Sequence, residues 1–91
     1  MPNKRQQLKE TDLEKAMVEV GAMLLSRAKQ KGMGSMASNH EILGILDEEL
    51  TEYRDAIHAK GTQEEKVSEL IDIAVGALFG IASIRSGGVD W

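Results

Sequence analysis

Acidic residues in the second half of the chain have the types and spacing of a metal-binding site. They lie in the patterns EExxE and ExxD, with sixteen residues between the two patterns: Glu48, Glu49, Glu52, Glu69 and Asp72. Residues three apart share one face of a helix, so Glu49 projects with Glu52. Glu69 and Asp72 form a second such pair, just before an uncharged run from Ile73 to Ile84. Acids at the edge of an apolar core need a partner or a cation, so this pair is the stronger indication of a site.

The two pairs reach the same height if their helices form an antiparallel hairpin about Gly61. At a rise of about 1.5 Å per residue, Glu52 and Glu69 lie roughly 13 and 12 Å from that glycine. Glu49 and Asp72 lie roughly 18 and 16 Å from it. The hairpin thus gathers four carboxylates, and two charges about 4 Å apart repel by about 4 kcal/mol at an effective dielectric near 20. Such a cluster requires either protonated acids or bound cations.

Carboxylate oxygens without His or Cys favour Mg²⁺ or Mn²⁺ over Zn²⁺ as the cation. Magnesium keeps several of its waters, so coordination positions stay open for phosphate oxygens. The ion would neutralise phosphate charge and lower the pKa of an attacking water. The acidic pattern therefore favours metal-assisted hydrolysis of a phosphoanhydride.

Three helices with local start and stop signals position these acids. Capping-box patterns, in which Ser or Thr precedes Glu by three residues, begin at Thr11, Ser38 and Thr62. Glycines suited to the left-handed residue after a helix are Gly32, Gly61 and Gly87. These signals predict helix 1 from Thr11 to near Lys31, helix 2 from Ser38 to Gly61, and helix 3 from about Gln63 to Arg85. We expect a flexible N-terminus over residues 1–10 and a single all-α domain over residues 11–91.

Apolar residues spaced three and four apart mark the expected buried face of each helix. They are Leu13, Ala16, Met17, Val20, Leu24 and Ala28 in helix 1, and Ile42, Leu43, Leu46, Leu50, Tyr53 and Ile57 in helix 2. Helix 3 is apolar on nearly every side after Asp72, and two other helices of one chain cannot cover it. We therefore expect a three-helix protomer with an antiparallel hairpin that completes four-helix-bundle packing by oligomerisation. Gly76 and Gly80 would permit another helix to approach closely.

The composition is that of a small globular protein, with 91 residues of which 42% are hydrophobic, 29% charged and 3% aromatic. The absence of Cys excludes disulfides and thiolate metal sites. A net charge of −4 without a basic stripe argues against a nucleic-acid partner. The N-terminus lacks the apolar segment of a signal peptide, and the uncharged run in helix 3 is too short for a bilayer. We therefore expect a cytoplasmic protein without membrane association.

The pattern EExxE, a spacer and then ExxD resembles the signature of the MazG-like all-α nucleoside triphosphate pyrophosphohydrolases. The flanking segments ILDEELTEYRDAI and SELIDIAVGAL agree with it, so the resemblance covers helices 2 and 3. It implies a MazG-like fold, a homodimer or homotetramer, and hydrolysis of nucleoside triphosphates to monophosphate and pyrophosphate, a house-cleaning activity. It also implies Mg²⁺, replaceable by Mn²⁺, held by Glu49, Glu52, Glu69 and Asp72. Glu48 and Glu49 are the implied catalytic carboxylates.

Residues that would contact a nucleotide are less defined by the sequence. The candidates are Lys29 and Lys31 at the end of helix 1, and Asn39 and His40 at the start of helix 2. The loop between these two groups contains two glycines and several small polar residues, so we expect it to be mobile.

A different reading of the same residues is a non-enzymatic helical adaptor that dimerises through helix 3. Its acids would be surface charge or a structural cation site. Release of pyrophosphate from nucleoside triphosphates, with and without Mg²⁺, separates the adaptor from the enzyme.

Overall fold

The computed structural model describes residues 5–91, and all of the regular secondary structure in that range is helical. Helix α1 spans Glu10–Gln30, α2 spans Asn39–His58 and α3 spans Gln63–Arg85. The predicted all-α class with three helices is thus confirmed for the described part of the chain. Of the N-terminal segment expected to be flexible, residues 1–4 lie outside the described residues, and residues 5–9 carry no regular secondary structure.

The starts of α2 and α3 follow the predicted caps. The hydroxyls of Ser38 and Thr62 each accept a backbone N–H three residues later, both at 3.1 Å. In α3 the Glu65 carboxylate also accepts the Thr62 N–H at 3.2 Å, which completes a reciprocal capping box. In α2 the Glu41 carboxylate reaches one residue further and accepts the Ala37 N–H at 2.7 Å. Both caps satisfy backbone donors that the first turn of a helix leaves free.

The predicted start of α1 at Thr11 is wrong. The helix begins at Glu10, and Lys9 is the extended residue before it, with φ −92° and ψ 154°. Asp12 therefore stands at the third helical position, where its Oδ2 accepts the Lys9 N–H at 2.9 Å. Thr11 is already inside the helix and does not serve as its cap.

Each helix ends in a Schellman turn, with a residue in the left-handed region directly after the cap. Gly32 and Gly87 fill this position after α1 and α3, both at φ +84°. After α2 the position belongs to Lys60 at φ +55°, and not to Gly61 as predicted. Gly61 has a different role, because a Cβ there would lie 3.1 Å from the carbonyl oxygen of Ala56. The hairpin turn therefore depends on close backbone packing at Gly61.

Helix α3 lies at the centre, and α1 and α2 pack against it but not against each other. In the described chain, no Cα of α1 comes within 8 Å of a Cα of α2. Cβ atoms added at Gly76 and Gly80 of α3 would lie 3.3 Å from Leu46 Cδ2 and 3.0 Å from Ile42 Cγ2. These pairings run in opposite directions along the two helices, so α2 and α3 form the predicted antiparallel hairpin. The two glycines thus serve close packing within the chain.

The face of α2 that packs on α3 differs from the predicted one. None of its residues is fully buried, and its half-buried apolar residues include Ile42, Ile45, Leu46 and Tyr53. Three residues predicted to be buried, Leu43, Leu50 and Ile57, are 62%, 46% and 43% exposed. They recur every seven residues and form a second apolar stripe that the single chain leaves uncovered. The prediction failed because α2 carries two such stripes, and periodicity alone does not say which one meets α3.

The core of the single chain is small, and much apolar surface stays open. The buried apolar side chains are Ala28, Met36 and Val75. Leu13 and Met17, from the predicted stripe of α1, are exposed. Leu78, Ile81 and Ile84 are exposed on α3. The helix that is apolar on all sides is therefore covered by its own chain on only some of them.

Helix α3 is long and apolar enough to cross a membrane, by length and composition alone. An 18-residue segment of this helix has a mean hydropathy of 1.8, and 22% of that segment is buried within the chain. The core helix of a soluble protein passes the same test. The uncharged run from Ile73 to Ile84 is shorter than the helix that contains it, because α3 extends beyond the run at both ends.

Candidate metal and phosphate site

Four carboxylates from α2 and α3 face one another across the hairpin. A nearby negative charge raises the pKa of a carboxyl group, so such shifts identify neighbours. Burial raises the pKa of Glu49 above its ordinary value. The charges of Asp72, Glu52 and Glu69, in that order, raise the pKa of Glu49 further. The acids predicted to cluster therefore lie together in space.

The register of the hairpin gives the height of each acid, because Gly80 packs on Ile42 and Gly76 packs on Leu46. Burial raises the pKa of Glu69 as well, and the strongest of its charged neighbours is Glu52, followed by Asp72. For Glu49, the charged neighbour that raises the pKa most is Asp72. Glu49 is therefore level with Asp72, and Glu52 is level with Glu69, as counting residues from the turn predicted.

Within each helix the two acids lie close together. The contact with Glu52 raises the pKa of Glu49, and the contact with Asp72 raises the pKa of Glu69. Two ionised carboxylates are both acceptors, so such a contact becomes a hydrogen bond only when one of them is protonated. The cluster can thus be relieved by a proton or by a cation.

One basic side chain reaches this cluster from α1. Arg27 Nη2 lies 2.5 Å from Asp72 Oδ1, and the two side chains are 35% and 18% exposed. Asp72 Oδ1 is itself fully buried, yet none of the described residues gives it a hydrogen bond of acceptable geometry. The guanidinium is therefore the partner of this buried oxygen, through a short electrostatic contact.

A pocket opens between the three helices beside Asp72. Its apolar floor and walls include Leu24, Ala28, Met36, Ile45, Val75 and Phe79. Arg27 and Lys31, one turn apart on α1, also line it, together with Glu49 and Asp72 from the hairpin. The cavity volume is about 60 Å³, enough for a few waters. A nucleotide bound here would therefore lie mostly outside the cavity, along its charged rim.

The chemistry of these residues fits a hard divalent cation. All four donors are carboxylates, and Asp72 Oδ1 would have to exchange the Arg27 guanidinium for the ion. The side chains are not drawn together as they would be around an ion, since no metal-binding group of three acidic or His side chains occurs among residues 5–91. Glu52 is exposed and Glu69 half-exposed, so coordination requires only that these side chains turn on a fixed helical frame.

Several other predicted site residues lie apart from the pocket. Glu48 is exposed on α2 and does not line the pocket. Of the four candidate substrate residues, Lys31 alone lines it, whereas Lys29, Asn39 and His40 are exposed elsewhere. The helical rise puts His40 about 13 Å from the acids along α2. Glu49, Asp72 and Lys31 are therefore the predicted site residues that line this pocket.

The loop between α1 and α2 is held in place, contrary to the mobility expected for it. The Met36 N–H donates to the buried Ser83 Oγ at 3.0 Å, and the Met36 side chain is itself buried. The segment after α3 adds a second tie, from the Asp90 N–H to the Ala37 carbonyl at 2.9 Å. The loop thereby closes one end of the pocket.

The start of α2 is covered by the last residue of the sequence. The Asn39 N–H donates to the Trp91 carbonyl at 2.5 Å, and the rings of His40 and Trp91 lie 5.1 Å apart in a tilted arrangement. Asn39 and His40 are therefore engaged with this segment and not with the acidic pocket.

Arg27 is the residue of this site that sequence reasoning missed. It continues the α1 face of Val20 and Leu24 at helical spacing, and Lys31 follows one turn later. A charged residue on an apolar stripe is the signal that could have found it. A cation on a packing face needs a carboxylate partner, and the acidic cluster supplies one.

Comparison with protein-family models, curated proteins and solved structures gives no significant match to this chain. The resemblance to MazG-like pyrophosphohydrolases therefore depends on the acidic patterns and their flanks alone, and it stays a prediction. The pocket between the three helices supplies the remaining observations that bear on the function of this chain.

Proposed function

We propose that this protein is a Mg²⁺-dependent hydrolase that cleaves nucleoside triphosphates to nucleoside monophosphate and pyrophosphate. The observation that carries the proposal is the presence of both signs of charge in one pocket. Glu49 and Asp72 from the hairpin line it together with Arg27 and Lys31 from α1. A metal–phosphate complex needs both kinds of group, because carboxylates bind the ion and basic side chains bind phosphate oxygens.

Each group would have a defined task in this reaction. The proposed cation ligands are Glu49, Glu52, Glu69 and Asp72. Bound Mg²⁺, or Mn²⁺ in its place, supplies neutralisation of phosphate charge and a lower pKa for the attacking water. Lys31 and Arg27 would donate hydrogen bonds to phosphate oxygens and orient the chain of phosphates along the rim.

Glu49 is the proposed base of the reaction. It lines the pocket together with Asp72, where it could take a proton from the attacking water. As the water oxygen bonds to phosphorus, the proton passes to Glu49, the bridging P–O bond breaks and pyrophosphate leaves. Glu48 is exposed beside it and would act only through water, as an outer-sphere group.

We also propose that the working form is a homodimer or a homotetramer. The radius of gyration of the single chain is 15.4 Å, whereas a compact chain of this length has about 12 Å. The exposed stripe formed by Leu43, Leu50 and Ile57 would be covered by a second copy.

The same exposed apolar surface favours one alternative, a helical adaptor without enzymatic activity. In that case the acids would hold a structural cation or form a solvated face. The adaptor does not account for Arg27 and Lys31 lining the same pocket as two carboxylates, so we place it second.

The experiment that tests the proposal measures pyrophosphate release from a panel of ribo- and deoxyribonucleoside triphosphates with Mg²⁺, Mn²⁺ or EDTA. Glu69→Gln and Asp72→Asn preserve side-chain size and remove charge, so both should abolish metal-dependent release. Glu64→Gln is the matched control, because Glu64 is exposed in the first turn of the same helix. It should retain wild-type activity.

Two results would count against the proposal in different ways. If the wild type releases no pyrophosphate from any nucleotide, the hydrolase is excluded and the adaptor remains. If release occurs but survives both substitutions, the enzyme is retained and the acidic cluster is not its site.

A further inference from the structure

The ion pair between Arg27 and Asp72 places a positive charge where the proposed metal ion has to bind. Asp72 is also the strongest charged neighbour of Glu49, so Arg27 contacts a central member of the acidic cluster. No other salt bridge is formed among the described residues, so this guanidinium is the only basic group paired with any of the four acids.

A guanidinium and a divalent cation compete for the same carboxylate oxygens. The buried Asp72 Oδ1 is already in contact with the guanidinium, so a metal ion can bind this oxygen only after Arg27 has moved away. Both are positive, and their repulsion across a partly buried site adds to the exclusion. Arg27 is also 35% exposed and lines the pocket with Lys31, so it has room to turn away from Asp72 and toward the rim.

We propose that Arg27 is the resident counter-ion of the acidic cluster, and that metal binding displaces it from Asp72 onto the phosphates of the substrate. This inference rests on the proposed function, since it takes the four acids as the metal site. Arg27 then weakens the binding of free metal and strengthens the binding of metal with triphosphate. The protein would load its cation together with the nucleotide in preference to the cation alone.

The test measures Mn²⁺ binding to the full chain by the electron paramagnetic resonance signal of the free ion, with no nucleotide present. Arg27→Met keeps the apolar stem and removes the charge. It should bind Mn²⁺ about two- to fivefold more tightly than the wild type, a gain in the range of a partly exposed ion pair. Arg27→Lys keeps the charge and should stay near the wild type. Lys15→Met removes an exposed charge three turns earlier on α1 and controls for net charge.

The second measurement is binding of inorganic tripolyphosphate at saturating Mn²⁺, by calorimetry. Here Arg27→Met should bind about tenfold more weakly or worse, the loss expected for a charged hydrogen bond. The two effects have opposite signs, which a purely structural role of Arg27 would not produce. Arg27→Gln has the same expectations and replaces Arg27→Met if that variant does not fold.

The outcomes separate this inference from the proposed function. If the wild type binds Mn²⁺ and the charge-removing variants bind it equally or more weakly, Arg27 is not a competitor, and the metal site itself stands. If the wild type binds no Mn²⁺ with or without tripolyphosphate, both the inference and the proposed function are overturned.

Discussion

A methyl group added at Gly80 tests the hairpin that brings the acids together. A Cβ at this position would stand 3.0 Å from Ile42 Cγ2, which is closer than ordinary van der Waals contact. Ile42 is β-branched, and such side chains have little rotamer freedom on a helix, so it cannot swing aside. Gly80→Ala should therefore either separate α2 from α3 locally or force Ile42 off its rotamer.

Two opposing effects set the magnitude of this change. Overpacking a core costs about 1–3 kcal/mol, whereas Gly→Ala inside a helix stabilises by about 1 kcal/mol. The expected net loss in free energy of unfolding reaches about 2 kcal/mol, and each kcal/mol lowers Tm by roughly 4–8 °C in a chain of this size. Gly44→Ala is the matched control, because Gly44 lies exposed in α2 and an added Cβ meets nothing within 4 Å. It should raise stability by up to about 1 kcal/mol.

The assay is thermal and urea denaturation followed by circular dichroism, at one fixed protein concentration because self-association would shift Tm. The same substitution is then made in an Ile42→Ala background, which removes the clashing atom. Gly80→Ala should be less harmful there, and the difference measures the coupling between the two positions. If Gly80→Ala stabilises the wild type as much as Gly44→Ala does, α2 and α3 do not approach as described. The four carboxylates would then no longer be expected at matching heights along the hairpin.

Three further predictions concern the acids, the loop and the exposed stripe. Because the pKa of Glu49 is raised on folding, the folded state binds more protons than the unfolded state, and stability falls as the pH rises from the ordinary value of 4.5 toward the raised one. In EDTA, Glu49→Gln should therefore raise the free energy of unfolding at pH 7 and change it less at pH 4, as measured by urea denaturation. A larger gain at pH 4 would contradict the raised pKa. Ser83→Ala should cost about 1–3 kcal/mol, because it leaves the Met36 N–H buried without its acceptor. Hydrogen exchange of that amide should accelerate, and unchanged protection would show that the loop is held by other contacts. Leu50→Glu should reduce the mass measured by light scattering toward the 10.0 kDa of one chain, and a wild type already of that mass would exclude the proposed oligomer.

Local signals in the sequence predicted the helix ends that depend on a few adjacent residues. The caps at Ser38 and Thr62 form within a single turn, so the sequence contains both partners of each hydrogen bond. The start at Thr11 failed because Asp12, one residue on, offers a carboxylate to Lys9 and competes for the role. Similarly, the left-handed residue after α2 is Lys60 and not Gly61, since Gly61 is required for close backbone packing.

The acidic cluster was predictable for a related reason. The rise of a helix is constant and the turn between α2 and α3 is short, so counting residues placed the acids at matching heights. Arg27 was not found in this way, because its partner Asp72 lies on another helix, forty-five residues further along the chain. Which side of α1 meets α3 depends on the packing of whole faces, and no local signal encodes it.

The sequence by itself determined the helical class, most helix ends and the heights of the four carboxylates, because these depend on short-range geometry. Only the tertiary structure decided which of the two apolar stripes of α2 faces α3, and which basic residues of α1 face the acids. Both follow from the close approach of helices at Gly76 and Gly80 and from the central position of α3. These contacts join residues distant in the chain, so the choice between them was made by packing.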